Sequence, residues 1–242
     1  MKKILVLLIA GLMAMSVTAC KEDSGSDDTS GNSTTSSSTS DSDSKDSDKE
    51  SDKSKNDSSE ITMEAVLNHA VSPDADFIFS LDDEGVNGGI MSYTGTDSIV
   101  VTPDTYDGAP VTKIEKYSFS KKNSEKAIRF ADSVVEIDEL ACSLNEGIEI
   151  VVLGANTKTI HPGVFLECPA LREVKLNDGL ETISRQAFAK CYELKSITIP
   201  ESVTTIEPGA FFSLEKTLVI HGKAGSAAEE FAKTEGIQFV AE

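Results

Sequence analysis

Five segments of this chain carry the same short pattern at a fixed distance. They read Ile114-Glu-Lys-Tyr-Ser-Phe119, Ile137-Asp-Glu-Leu-Ala-Cys142, Ile160-His-Pro-Gly-Val-Phe165, Ile183-Ser-Arg-Gln-Ala-Phe188 and Ile206-Glu-Pro-Gly-Ala-Phe211, and each isoleucine follows the last by 23 residues. Val111, Val134, Thr157, Leu180 and Val203 stand three places before these anchors, and Ile128, Val151, Val174, Ile197 and Ile220 fourteen places after them. A strict period of this length marks a repeat array, in which one unit buries its apolar face only against its neighbours.

Inside each unit one stretch alternates apolar and other residues. Ile128-Arg-Phe130, Val151-Val-Leu153, Val174-Lys-Leu176 and Ile197-Thr-Ile199 place apolar side chains two apart, the period of a strand with one buried face. Stacked about 4.8 Å apart, such strands pair with one another and enclose a continuous interior. Gly154, Asn177-Asp178-Gly179 and Pro200 supply the turns out of the strands. The stretch Leu180 to Pro200, which alone resembles an amphipathic helix, becomes one coil of this stack.

The phrase Cys191-x-x-Leu194-x-x-Ile197-x-Ile199-Pro200-x-x-Val203-x-x-Ile206-x-x-x-Ala210-Phe211 resembles the 23-residue leucine-rich repeat of BspA-like bacterial surface proteins. The likeness runs from about Val111 to Gly225. It implies a β-rich solenoid of about five coils over 111–225 and an adhesin-like, protein-binding role. Lys122 and Glu125 depart from the small and apolar consensus residues, and Cys142 stands at the Phe position.

The flanks read as caps. Thr62 is placed to cap a helix from Met63 to about Ala70, and Phe77–Leu81 and Ile90–Tyr93 to pair as a hairpin, so that 60–110 covers the open edge of the first coil. At the other end, 226–242, Ser226 and Glu229 form a capping box, Ala227, Ala228, Phe231 and Ala232 one apolar face, and Gly236 the stop.

Ahead of this lie two segments that cannot join a core. Residues 1–19 open with Lys2-Lys3, continue through about a dozen apolar residues and end Val17-Thr18-Ala19-Cys20, which describes a secretory signal and resembles a lipoprotein lipobox. The resemblance implies a lipidated Cys20 and a bacterial protein held on the extracytoplasmic face of its membrane. Residues 20–59 follow; from Lys21 to Glu60 there are 15 Ser, 4 Thr and 12 acids against 5 Lys, the composition of a disordered tether.

Charge narrows the partners. From Ile61 onward 29 acidic residues face 15 basic ones, which repels nucleic acid and favours a soluble monomer. His69, His161 and His221 have no cysteine or second histidine at metal-ligand spacing, so neither metal nor cofactor is expected. The run Asp82 to Gly89 has its glycine, Gly85, at the fourth place rather than the sixth, which favours a plain hairpin turn over a calcium loop. No hydrolase elbow or phosphate loop is present, and no acid–base pair stands out.

Cysteine is the remaining candidate for chemistry. Stacking brings Cys168 and Cys191 to about one strand spacing, within reach of a disulfide. Side chains stacked in register point in parallel, however, so reduced thiols serving as small apolar fillers are favoured over a bond, and both over a reactive thiol.

The reading is therefore a binding module rather than an enzyme. The outward strand positions are Ala127 and Arg129, Ile150 and Val152, Glu173 and Lys175, Ser196 and Thr198, and Val219 and His221. From these, Ile150, Val152, Glu173, Lys175, Ser196 and Thr198 form the candidate surface for a protein partner of the host or the envelope, with Ile150 and Val152 as exposed apolar contacts unless a flank covers them. An envelope-polymer enzyme using unrecognised carboxylates is the alternative, and it requires a deep polar cleft.

Overall fold

The structure is a computed structural model and describes residues 60–242, so the leader, Cys20 and the tether lie outside the described residues. The chain opens with helix α1 (Met63–Leu67) and a hairpin, β1 (Phe77–Leu81) with β2 (Gly88–Tyr93). β3 (Ile99–Val101), β4 (Thr105–Tyr106) and β5 (Ala109–Ile114) lead into the repeats. Each coil then contributes two short strands: β6 (Ala127–Arg129) and β7 (Glu136–Ile137), β8 (Ile150–Val152) and β9 (Thr159–Ile160), β10 (Glu173–Lys175) and β11 (Thr182–Ile183), β12 (Ser196–Ile199) and β13 (Thr205–Ile206). β14 (Val219–Gly222), α2 (Ala227–Glu235) and β15 (Gln238–Ala241) close the chain.

The second strand of each coil holds the anchor isoleucine, a ladder the sequence analysis did not assign. β2, β5, β7, β9, β11 and β13 pair in parallel, with Ile137 opposite Ile160, Ile160 opposite Ile183 and Ile183 opposite Ile206. On the other side β3, β6, β8 and β10 form one sheet, and β12, β14 and β15 another. The register is one full repeat throughout the coils, as Ile128 opposite Val151 and Val151 opposite Val174 show. The flanks extend the stack beyond the expected five coils to about seven turns. Ile90 pairs with Ile114, Val100 with Ile128, and Phe239 with Ile220, at spacings other than 23, which is why the strict period ends short of them.

The third side of each coil is a tight turn, and it too is bonded to its neighbour. Leu140, Cys142 and Leu144 donate their N–H groups to the carbonyls of Pro162, Val164 and Leu166 at 3.1, 2.9 and 2.8 Å; Gly163, Phe165 and Glu167 donate to Arg185, Ala187 and Ala189 at 3.1, 2.9 and 2.9 Å. This direction requires left-handed backbone at two columns, Tyr117, Leu140, Gly163, Gln186, Gly209 and Lys121, Leu144, Glu167, Lys190, Ser213, all at φ between 57° and 73°. Eight of these ten are not glycine, at about 1–2 kcal/mol each, a strain the hydrogen bonds between coils offset. Gly154 answers a different demand: a Cβ there would collide with the Ala131 carbonyl of the preceding coil.

Inside, the aromatic position stacks. Phe165, Phe188 and Phe211 lie ring on ring at 5.3 Å with interplanar angles of 15° and 8°, and Phe231 of α2 meets the last of them edge-on at 5.9 Å. Cys142 interrupts this column; beyond it Phe119 stacks on Tyr93 of the hairpin at 6.0 Å. The column three places on is Lys122, Asn145, Cys168, Cys191 and Leu214. Asn145 donates to the Phe119 carbonyl at 3.0 Å, Cys168 to that of Cys142 at 3.2 Å and Cys191 to that of Phe165 at 3.1 Å. These thiols are therefore more than the apolar fillers expected from sequence, since each gives a buried carbonyl of the preceding coil its donor.

The caps follow expectation with two differences. Thr62 accepts from Ala65 N at 3.2 Å, but α1 stops at Leu67 rather than near Ala70. Glu229 accepts from the N–H of Gly225 at 2.6 Å rather than from that of Ser226, which bonds to the Lys223 carbonyl at 3.2 Å, and the Ser226 hydroxyl makes no cap bond, so the expected box does not form; Gly236 closes α2 in left-handed geometry.

All three cysteines among the described residues are free and fully buried. Burial pushes the Cys168 thiol up to about 12 from an ordinary value of 9.0, and those of Cys142 and Cys191 well above it. A raised thiol leaves stability unaffected below pH 9.0, where both states are protonated, and removes it as pH climbs towards about 12, because only the unfolded chain then releases the proton. Unfolding free energy should therefore fall over that alkaline window, and less steeply in Cys168→Ala. In urea titrations at neutral pH, Cys191→Ala should cost about 1–3 kcal/mol through the orphaned Phe165 carbonyl. Mass-spectrometric mapping should find the three thiols unlabelled by maleimide until denaturant is added.

Candidate functional site

The outward face of the first sheet is not bare. α1 lies across β6 and β8, and the fully buried Val66 packs on Ala127, Ile150 and Val152, with Ile61, Met63 and Ile99 around them. Two arginines fix the helix at its ends. Arg172 donates to the Ile61 carbonyl at 2.5 Å, ahead of the helix, and Arg129 to the His69 carbonyl at 2.9 Å, beyond it. Arg172 also sits 3.7, 3.6 and 3.8 Å from carboxylate oxygens of Glu60, Glu149 and Glu173.

This arrangement corrects the expectation for Ile150 and Val152. They are 0% and 5% exposed, and so are not open to a partner. Their apolar character belongs to an internal contact, because the flanking helix covers the face of the first coils rather than their edge. That edge is covered by β2 of the hairpin, which pairs with β5.

The other four predicted residues lie just beyond the helix. Lys175, Ser196 and Thr198 are exposed and Glu173 half-buried. β10 and β12 do not pair: the sheet divides between them, and Val174 and Leu176, which the repeat would bury, are only partly covered. The division opens a cleft of about 420 Å³ lined by Met63, Arg172, Glu173, Lys175, Ser196 and Thr198, among others. Val219 and His221 continue the face, with His221 Nδ1 3.2 Å from a Glu242 carboxylate oxygen. Sequence reasoning missed Met63 and Arg172. The apolar Ile61, Met63 and Val66 in an otherwise polar flank were the available signal, whereas the role of Arg172 depends on the fold alone.

The cleft brings together Arg172, Lys175, the hydroxyls of Ser196 and Thr198, and the carboxylates of Glu173 and Asp178. Of the two carboxylates, Glu173 lies 3.8 Å from Arg172 and Asp178 is exposed. Among the described residues two carboxyls are clearly displaced in their titration, both downward. Asp82 is lowered by the N–H of Val86 and by Asn87, which bond it at 2.7 and 2.9–3.1 Å. Burial opposes ionisation of Asp138, yet the Glu139 N–H and the Lys113 ammonium outweigh it. Such groups are strong anions, the reverse of a proton-donating acid. Asp82 also spends its carboxylate on its own turn, consistent with a plain hairpin. Among the described residues no group of three or more His, Cys, Asp or Glu side chains is gathered as a metal site.

If α1 is the cover described, Ile150→Asp will bury an unpaired carboxylate beneath it and cost about 3 kcal/mol or more in a denaturant titration. Arg172→Ala should leave the solenoid folded but raise amide hydrogen exchange over residues 61–67 by tenfold or more. Unchanged exchange there would mean that the arginine does not hold the helix.

Residues 105–217 match the model of the BspA type leucine-rich-repeat region in six copies. No curated protein sequence matches the chain. Among solved structures, a leucine-rich-repeat protein of T. pallidum is 21% identical with a TM-score of 0.61, the match covering 72% of this chain and 84% of that one. A leucine-rich-repeat protein of Bacteroides ovatus is also 21% identical, with a TM-score of 0.54, over 72% of this chain and 53% of that one. At this identity the likeness is one of fold, and it agrees with the coil geometry described above. Residues 105–217 of this chain are thus similar to the BspA type leucine-rich-repeat region.

Proposed function

We propose that this chain is a cell-surface protein-binding module of adhesin-like type, anchored through lipid on Cys20. The observation that carries the binding reading is the division of the outward face. α1 covers its first half, and the second half, from Glu173 and Lys175 to Ser196 and Thr198, stands open beside a cleft. Exposed side chains on the face of a repeat array that serve neither core nor cap are its usual binding surface. The partner is a protein of the host or envelope surface, and the acidic charge argues against nucleic acid.

The anchoring reading rests on residues 1–19 and on Val17-Thr18-Ala19-Cys20, with residues 20–59 as the tether between membrane and solenoid. Among the described residues no helix is long and apolar enough to cross a membrane. One or more acyl chains on Cys20 would supply the attachment, each buried methylene contributing about 0.8 kcal/mol.

A photo-crosslinking amino acid placed at Thr198 in the full-length protein on cells should capture the partner, while the same group at Thr182, on the opposite sheet, should not. Equal capture at both positions, or none at Thr198, contradicts the assignment of the face. In parallel, Cys20→Ser should move the protein from the detergent phase to the aqueous phase, and an unchanged partition contradicts the lipid anchor.

A further inference from the structure

A second surface of different chemistry lies at the N-terminal end of the stack. Among the described residues β1 ends the sheet order and pairs with β2 alone. Asp82 N–H donates to the Asn87 carbonyl at 2.9 Å, so Asp82 belongs to a bonded pair of the hairpin. By the alternation of an antiparallel ladder, the backbone groups of Leu81 and Phe79 then point away from β2, along the open edge.

The strand reads Phe77-Ile-Phe-Ser-Leu81, without charge or proline, and Ile78 and Leu81 are 50% and 43% exposed, as is Met91 on β2 at 50%. Natural edge strands are usually blunted by lysine, proline, an inward charge or a bulge; this one carries no such residue within its length, and its one register irregularity against β2 falls between Ile78 and Phe79, ahead of the Phe79–Leu81 edge. What surrounds it is acidic. Asp74 and Asp76 precede it, and Asp82, Asp83 and Glu84 follow.

That setting is part of a charge division along the chain. Residues 60–112 hold ten Asp and Glu and no Lys or Arg, whereas 113–242 hold 20 acids and 15 bases. A second copy pairing antiparallel at β1 would set the acids before one strand against those after the other, and like charges so placed repel. Anionic polymers and lipid surfaces are repelled for the same reason.

We infer that the β1 edge is a docking site for an extended strand of a protein partner, apolar at alternate positions and carrying Lys or Arg at both ends. The main chain of the guest would bond to Phe79 and Leu81, its apolar side chains, which share one face, would meet Leu81 on the face it shares with Phe79, and its basic ends would meet the acids on either side. This site is separate from the outward face at Glu173 to Thr198, and either can fail without the other.

The test uses the full chain and two peptides of alternating Val and Thr, one with two Lys at each end, the other with two Glu. Amide shifts on titration should concentrate at Phe77 to Leu81. The basic peptide should bind at least tenfold more tightly than the acidic one, and lose that advantage in high salt. Asp83→Lys with Glu84→Lys, two exposed side chains outside the turn's own hydrogen bonds, should weaken the basic peptide at least fivefold with an unchanged circular dichroism spectrum. Leu81→Pro, which removes an edge N–H, should weaken it independently of charge. Equal affinity for both peptides, shifts elsewhere on the molecule, or concentration-dependent dimerisation through β1 overturns the proposal.

Discussion

A coil of 23 residues has no inside of its own, and everything else in this molecule follows from bonding each coil to the next, on all three sides except where the outward sheet divides between β10 and β12. The two strand ladders are the familiar part. The third side is a turn whose N–H groups also point along the stack, and left-handed backbone at residues such as Leu140, Leu144, Glu167 and Lys190 is what aims them there. With the backbone satisfied in this way, the interior can be filled in columns, including the rings of Phe165, Phe188 and Phe211. The adjoining column of Asn145, Cys168 and Cys191 donates to carbonyls that the turn leaves inside. Amide and thiol are interchangeable there because both are small donors of similar reach.

The first coil keeps the rule and changes the residues. Lys122 occupies the donor column and donates to the Tyr93 carbonyl of the hairpin, with its ammonium 5.6 Å from the centre of the Tyr93 ring. Glu125, where the next coils have Ile148, Leu171 and Leu194, is fully buried, accepts from Ser124 Oγ at 2.9 Å and lies 4.0 Å from Lys122. A buried polar group at an array end ties one particular neighbour to that end, here the hairpin, at a cost in stability relative to an apolar pair. The cap is thus joined to the coils through chemistry that no inner coil repeats.

How much of this was legible depends on whether the information is periodic. The anchors, the inward strand residues, the hairpin and the two capping helices follow from spacing and from residue types with strong local preferences. The turns did not: the stretch Leu180 to Pro200 alone resembles an amphipathic helix, because left-handed Gln186 and Lys190 within it carry no glycine to betray them. The donor role of the thiols was equally hidden, since it depends on a carbonyl 26 residues away. Of the candidate site, Glu173, Lys175, Ser196 and Thr198 were placed on the outward face from alternation alone. Ile150 and Val152 were on that face too, but a pattern of alternation cannot say what lies on top of it. The seven-residue segment from Ile61 to Leu67 supplies that cover, and the arginines that hold it come from coils 60 and 111 residues away.

α1 occupies the first half of the outward face and leaves the second half free. Nuclear magnetic resonance with labelled methyl groups and a soluble paramagnetic probe tests this directly. The methyls of Ile150 and Val152 should show cross-peaks to Val66 and little relaxation by the probe, while the methyl of Thr198 relaxes strongly. Strong relaxation of Ile150 and Val152 without contact to Val66 would show an uncovered face and contradict the division on which the functional reading rests.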